Sequence, residues 1–210
     1  MIAFRLPRSL APRSFVLCAV LSLAACVQPA EEASATAPVT RWDHRPEALS
    51  WTEATLTALE TDGAVLATTV PSDIDTFCPG YATASLEERE AFWVGMLSAL
   101  AKHESTWNPQ ASGGGGKWLG LMQIAPGTAR AYNCEATSAA ALKDGSANLA
   151  CAVKIAARQV GKDRAILHNG SGGWAGLARD WAPMRSSGKV AEMAAWTKAQ
   201  PYCRVKSSRT

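Results

Sequence analysis

The chain predicts an all-α fold with at most a minor β-hairpin, in one globular domain behind a leader and a tether. Helical periods dominate beyond residue 50, two Ser-x-x-Glu capping boxes mark helix starts, and no long stretch alternates apolar and polar residues. No internal repeat is evident.

The first 25 residues read as a leader. Arg5, Arg8 and Arg13 precede the apolar run Phe15 to Ala25, which closes on small residues in the manner of a cleaved secretory signal. The run is far shorter than the roughly 20 apolar residues a membrane span needs. Leu23-Ala24-Ala25-Cys26 resembles a bacterial lipobox, which implies a lipid on Cys26; the alternative is an ordinary signal cut between Ala25 and Ala30. Val27, rather than Asp, fits lipoproteins sent to the outer membrane, so the expected location is the periplasmic face of a bacterial membrane, or the soluble periplasm if the lipobox is unused. Residues 26–49 are expected to form a tether, since the segment around Pro29, Glu31, Glu32 and Pro38 has too little apolar surface to offset ordering entropy. The folded domain is expected over residues 50–210.

Removing the three leader arginines from 21 basic residues leaves 18, equal to the 18 acidic ones, so no basic face for nucleic acid is implied. Of six cysteines, Cys18 leaves with the leader and Cys26 would carry the lipid. Cys78, Cys134, Cys151 and Cys203 then suggest two disulfides in an oxidising compartment, with three connectivities open. Cys134 to Cys151 is favoured, a closure worth roughly 3 kcal/mol, leaving Cys78 to pin Cys203 and the C-terminal tail. No Cys-x-x-Cys spacing supports a metal site instead, and neither a metal nor a cofactor is expected.

In chain order, Ser50-Trp51-Thr52-Glu53 predicts a capped helix to about Glu60, stopped by Asp62-Gly63. Residues 64–81 lack periodicity and read as loop. Ser85-Leu86-Glu87-Glu88 is the second capping box, opening a helix to about His103 with Trp93, Met96, Leu97 and Leu100 on one stripe. Glu104 is the next position on that stripe. Pro126 suits the first turn of a helix through Tyr132. Ser146 is expected to cap a helix carrying Leu149, Ala152, Val153, Ala156 and Val160, ended by Gly161. Helices over Asp163 to His168, Trp174 to Trp181 and Lys189 to Gln200 complete the domain.

A lone carboxylate ending an apolar helix faces desolvation by Trp93, Leu97 and Leu100 and the negative end of the helix dipole, so its pKa should rise. A glutamate tuned to roughly 6–7 can donate a proton at neutral pH. The bland alternative is a carboxylate paired with Lys102 or a backbone amide.

Glu104-Ser105-Thr106-Trp107-Asn108-Pro109, followed by Gly120-Leu121-Met122-Gln123-Ile124 and Pro126-Gly127-Thr128-Ala129, resembles in order and spacing the first two motifs of the lytic transglycosylases of bacterial cell walls. The resemblance covers roughly residues 85–181 and implies a lysozyme-like fold acting on peptidoglycan glycan strands. It makes Glu104 the single acid and base. Ser112, Met122 and Gln123 would line the sugar groove, Gln123 bonding glycan or the acid and Met122 forming an apolar floor. Ser105 matches the serine after the acid, which can equally serve backbone. The third motif's Ala-Tyr-Asn-Ala/Gly is best matched by Leu167-His168-Asn169-Gly170, where His168 replaces the tyrosine that would orient the glutamate. A charged His168 would lower the pKa of Glu104 and oppose acid function.

From Ser105 to Cys134 there is no Asp or Glu, whereas hydrolytic glycosidases usually use two carboxylates. The transglycosylase reaction implied by the resemblance needs one. The acid protonates the N-acetylmuramic acid to N-acetylglucosamine bond, then takes the proton of the muramoyl C6 hydroxyl as it closes a 1,6-anhydro ring. A glycan-binding lipoprotein with impaired catalysis, and a lysozyme-type hydrolase, are the alternatives. His103-Glu104 is not a zinc-protease helix, because the second histidine position is Trp107, and Gly113 to Lys117 is no phosphate loop, because Trp118 stands where Ser or Thr is required. Trp107, Trp118 and Trp174 are candidates to stack on sugar, with one expected to do so.

Overall fold

In the computed structural model, residues 37–205 are described; the leader, Cys26 and the first part of the tether lie outside them. The fold is mostly helical, with six α-helices and a two-stranded hairpin among the described residues.

The central element is α3, Leu86–Ser105, whose residues from Phe92 to Ala101 are all buried. It starts as its sequence requires. The Ser85 hydroxyl accepts the Glu88 N–H at 3.3 Å and the Glu88 carboxylate accepts the Ser85 N–H at 2.9 Å, so both halves of the capping box form. Around it, α1 (Ala48–Glu60) packs chiefly on α5 (Gly145–Asp163), α2 (Ala64–Thr68) packs on both α3 and α5, and α6 (Ser187–Lys198) packs on α3. The hairpin pairs β1, Ser112–Gly113, with β2, Trp118–Leu119, and α4, Pro126–Ala131, follows it. The core of Trp42, Trp51, Leu59, Leu66, Phe92, Trp93, Leu97, Leu100 and Leu149 is continuous through these helices. Both favoured disulfides form, Cys134 to Cys151 and Cys78 to Cys203.

Several boundaries differ from expectation, each for a local reason. The tether does not extend to residue 49: Thr40 and Trp42 are buried, the Trp42 indole donates to Thr52 Oγ1 at 3.0 Å, and the Arg41 N–H donates to Ser98 Oγ at 2.9 Å. The packed region therefore begins before residue 50. Ser50 does not cap α1, because the helix starts two residues earlier at Ala48, and its hydroxyl donates to the Glu47 carbonyl instead. Residues 64–81 hold α2, the 3-10 turn Ile74–Thr76 and the first residue of another, Tyr81–Thr83, not simple loop. At α5 the cap is Asp144, which accepts the Ala147 N–H at 2.8 Å, rather than Ser146. Gly161 does not end α5. It faces Val65 of α2, and the helix continues to Asp163, where Arg164 turns left-handed at φ 54°. No α-helix forms over 163–168, and 174–181 holds only the 3-10 turn Gly176–Arg179, because buried Asp163 draws in the Gly176 N–H and the Arg179 guanidinium.

Candidate active site

The C-terminal end of α3, the hairpin and the wall leading into α6 enclose a cleft of about 480 Å³. Its lining is His103 and Glu104 from α3, Trp118 and Gln123 from the hairpin side, and Asp180 to Pro183, Arg185 and Lys189 from the far wall.

The acid is placed by an abrupt helix end. Directly after Ser105, Thr106 and Trp107 both turn left-handed, at φ 52° and 55°. Neither is glycine, so the turn is strained and must be held by its surroundings. The Trp107 indole N–H donates to the Ser98 carbonyl at 2.9 Å and its ring meets His44 edge-on at 4.7 Å. Trp107 is thus an anchor of the turn rather than a sugar platform.

Glu104 Oε1 is buried and makes no hydrogen bond. Burial pushes the carboxyl up to about 7, and the positive charge of Lys189 opposes that rise. The expected alternative partner does not reach it: Lys102 Nζ lies 2.8 Å from Glu192 Oε1, and His103 Nε2 lies 2.9 Å from Glu192 Oε2. Arg41 joins the same carboxylate. Burial alone would raise Glu192, but hydrogen bonds from Lys102, Arg41 and His103 outweigh it and bring the group down to about 2.

The facing wall depends on one buried amide. Asn148 of α5 donates to the Leu119 and Leu142 carbonyls at 3.0 and 2.8 Å and accepts the Met122 N–H at 2.8 Å, so it ties the hairpin side to the turn that precedes α5. Gly120 is required beside it. Its φ is 76°, and a Cβ there would lie 2.1 Å from the Leu142 carbonyl oxygen and 2.4 Å from Asn148 Nδ2. The Trp181 indole donates to the Met122 carbonyl at 3.0 Å, joining the far wall to this turn.

Of the residues singled out from sequence, Glu104, Gln123 and Trp118 meet in the cleft. Gln123 sits at φ 49° and its amide donates to the Gly120 carbonyl at 2.9 Å. Trp118 is 44% exposed and packs where Gly114 leaves room, with Lys117 Nζ 5.3 Å from its ring centroid. Ser112 is exposed on β1, outside the cleft lining. Met122 is not a groove floor: its side chain is fully buried and its backbone does the positioning. Ser105 turns its hydroxyl to the Ala101 carbonyl at 3.2 Å and serves the helix end. His168 and Asn169 do not line the cleft either. The carboxylate of Asp73 accepts the N–H groups of Ile166, Leu167 and His168 at 2.7–2.9 Å, fixing that loop with the exposed His168 ring stacked on Trp174.

Sequence reasoning missed Asp180, Arg185, Lys189, Asn148 and Glu192. Asn148 left a signal, a polar residue beside the apolar stripe of α5. The other four are brought in by tertiary folding and left none.

No curated protein matches the chain. Three solved structures, all of the protein DslA, share the architecture. A Glu-to-Gln variant matches with a TM-score of 0.74 and 27% identity over 80% of this chain and 98% of that one. The wild type gives 0.73 and 26% over the same shares. A second Glu-to-Gln variant gives 0.72 and 25%, with 80% and 99% covered. Residues 82–164, which run from before the capping box of α3 through α5 and include Glu104, match the transglycosylase SLT domain. The chain thus carries a segment similar to the transglycosylase SLT domain within a mainly helical, lysozyme-like fold that it shares with DslA.

Proposed function

We propose that the chain is a lytic transglycosylase that cleaves the β-1,4 bond between N-acetylmuramic acid and N-acetylglucosamine and leaves 1,6-anhydromuramic acid ends. The SLT domain supports a peptidoglycan-acting, transglycosylase-type function. What carries the finer reading is the state of Glu104, a half-buried carboxyl whose Oε1 is buried without a hydrogen-bond partner, facing a cleft and pushed up to about 7.

Such a group holds its proton near neutral pH and can pass it to the glycosidic oxygen, so that the leaving N-acetylglucosamine departs as an alcohol. The glutamate is then a carboxylate in a site that stabilises it poorly. It takes back a proton from the muramoyl C6 hydroxyl as that oxygen attacks C1, which closes the anhydro ring and restores the neutral acid. Gln123 and Trp118 flank the reacting sugars, the first by hydrogen bonding and the second by stacking.

A second reading is hydrolysis, favoured by Asp180. This carboxylate lines the same cleft, although its Oδ2 is already taken by Gln159 Nε2 at 2.6 Å and more distantly by the Tyr132 hydroxyl at 3.5 Å. Mass spectrometry of fragments released from purified sacculi separates the readings. Anhydro ends, one water lighter than reducing ends and absent with Glu104→Gln, support the transglycosylase. Reducing ends that vanish with Asp180→Asn establish a hydrolase, and binding without release points to a glycan-binding lipoprotein. The lipid on Cys26 and outer-membrane placement belong to the same proposal; a Cys26→Ala protein that stays with the membrane would contradict them.

A further inference from the structure

We propose that Lys189 makes the cleft selective for acidic glycan, by pairing with a carboxylate carried on the muramoyl side chain. This rests on the transglycosylase reading for the identity of the polymer. Lys189 stands exposed in the first turn of α6, on the wall facing Glu104, and makes no ion pair among the described residues. Next to it, Gly188 faces open space, so a substituent projecting from a bound sugar has room.

The other basic side chains around the cleft are engaged. Lys102, His103 and Arg41 converge on Glu192, and Arg185 donates to the Ala178 and Arg179 carbonyls at 2.7 and 2.6 Å. The cleft's own acids do not supply a counterion by contact either. Asp180 is bonded to Gln159, and Glu104, whose Oε1 is buried, needs its proton for the proposed chemistry. A plain N-acetylglucosamine chain offers no charge to Lys189. Muramic acid does, through its 3-O-lactyl group: as the free lactyl carboxylate on a bare strand, or as the first free carboxylate of an attached stem peptide. Pairing there would also offset the positive charge that now pulls against protonation of Glu104, so recognition of the acidic sugar would favour the acid form.

The test is calorimetric binding on a Glu104→Gln background, which reads recognition independently of cleavage. The probes are strands bearing stem peptides, strands stripped by an amidase that retain lactyl carboxylates, and stripped strands with those carboxyls converted to methylamides. Adding Lys189→Met should weaken binding about fivefold on at least one carboxylate-bearing preparation. The methylamide strands should show no change, and Lys189→Arg should restore the affinity. Loss confined to peptide-bearing strands assigns the stem-peptide carboxylate, whereas loss on stripped strands assigns the lactyl group. Equal loss on methylamide strands, or no loss on either acidic preparation, overturns the proposal. No binding to any preparation overturns both it and the glycan reading, whereas carboxylate-dependent binding by a protein whose wild type releases nothing from sacculi overturns only the transglycosylase reading.

Discussion

Two glutamates lie near the end of α3 and are driven in opposite directions. Glu104 is pushed up to about 7, and Glu192, reaching across from α6, is brought down to about 2. Burial acts upward on both. The difference is in their partners: Glu192 collects Arg41, Lys102 and His103, whereas Glu104 Oε1 has none. Two of those partners, Lys102 and His103, immediately precede Glu104 in sequence. With Lys102 and His103 held at Glu192, the neighbouring carboxyl is left to its desolvation.

The largest test of this contrast is chemical. Glu104→Gln should lower glycan release from sacculi by at least about a thousandfold, since the proposed mechanism uses one group for both proton transfers. Retained release would end the assignment. Nearly as severe is Gly120→Ala, whose Cβ would strike the Leu142 carbonyl and Asn148; about 3 kcal/mol of stability should be lost in urea unfolding, and an unchanged midpoint would show that the hairpin wall yields more easily than its geometry implies.

The same Glu104→Gln change should stabilise the fold at high pH. A carboxyl raised in the folded state from 4.5 to about 7 binds its proton more tightly folded than unfolded, so its contribution is fully present below pH 4.5 and is lost as pH rises through 7. Glutamine avoids that loss, so the variant should gain on the order of 2–3 kcal/mol over wild type at pH 8 relative to pH 4. An equal difference at both pH values would mean that Glu104 is not perturbed.

Glu192→Gln should have the smallest effect. Its carboxylate is partly exposed, so solvent screens the pairs, and about 1 kcal/mol of stability should go. Because Glu192 is depressed to about 2, that contribution exists above pH 4.5 and fades as pH falls towards 2. Lys102 and Arg41, freed from Glu192, should also bring the alkaline limb of the activity profile to lower pH. A limb moving to higher pH would mean that Glu192 does not act by holding those cations.

The elements legible in the sequence were those specified locally. The Ser85 box states both reciprocal bonds in four residues, and the apolar residues from Trp93 to Leu100 mark the stretch of α3 that is buried, although there the helix is buried on every face and not on one stripe alone. The elevated Glu104 follows from its place at the end of that stripe. What stayed hidden depends on distant partners. Ser50 and Ser146 look like caps, yet Glu47 and Asp144 occupy those positions. The segment before residue 50 resembles a linker in composition, but buried Trp42, together with the Arg41 N–H bond to Ser98, fastens it into the core. His168 occupies the third motif's place in sequence, while Asp73, about ninety residues away along the chain, sets where that loop goes. Lys189 and Asp180 enter the cleft only because the far wall folds back over α3.

The most direct measurement is a pH titration of the side-chain carboxyl resonances by carbon-13 NMR, with Glu104→Gln to identify the signal. One carboxyl should titrate near pH 7 and be absent from the variant. A Glu104 signal titrating at or below 4.5 would contradict it, because the cleft would then hold a carboxylate at neutral pH and have no proton to give.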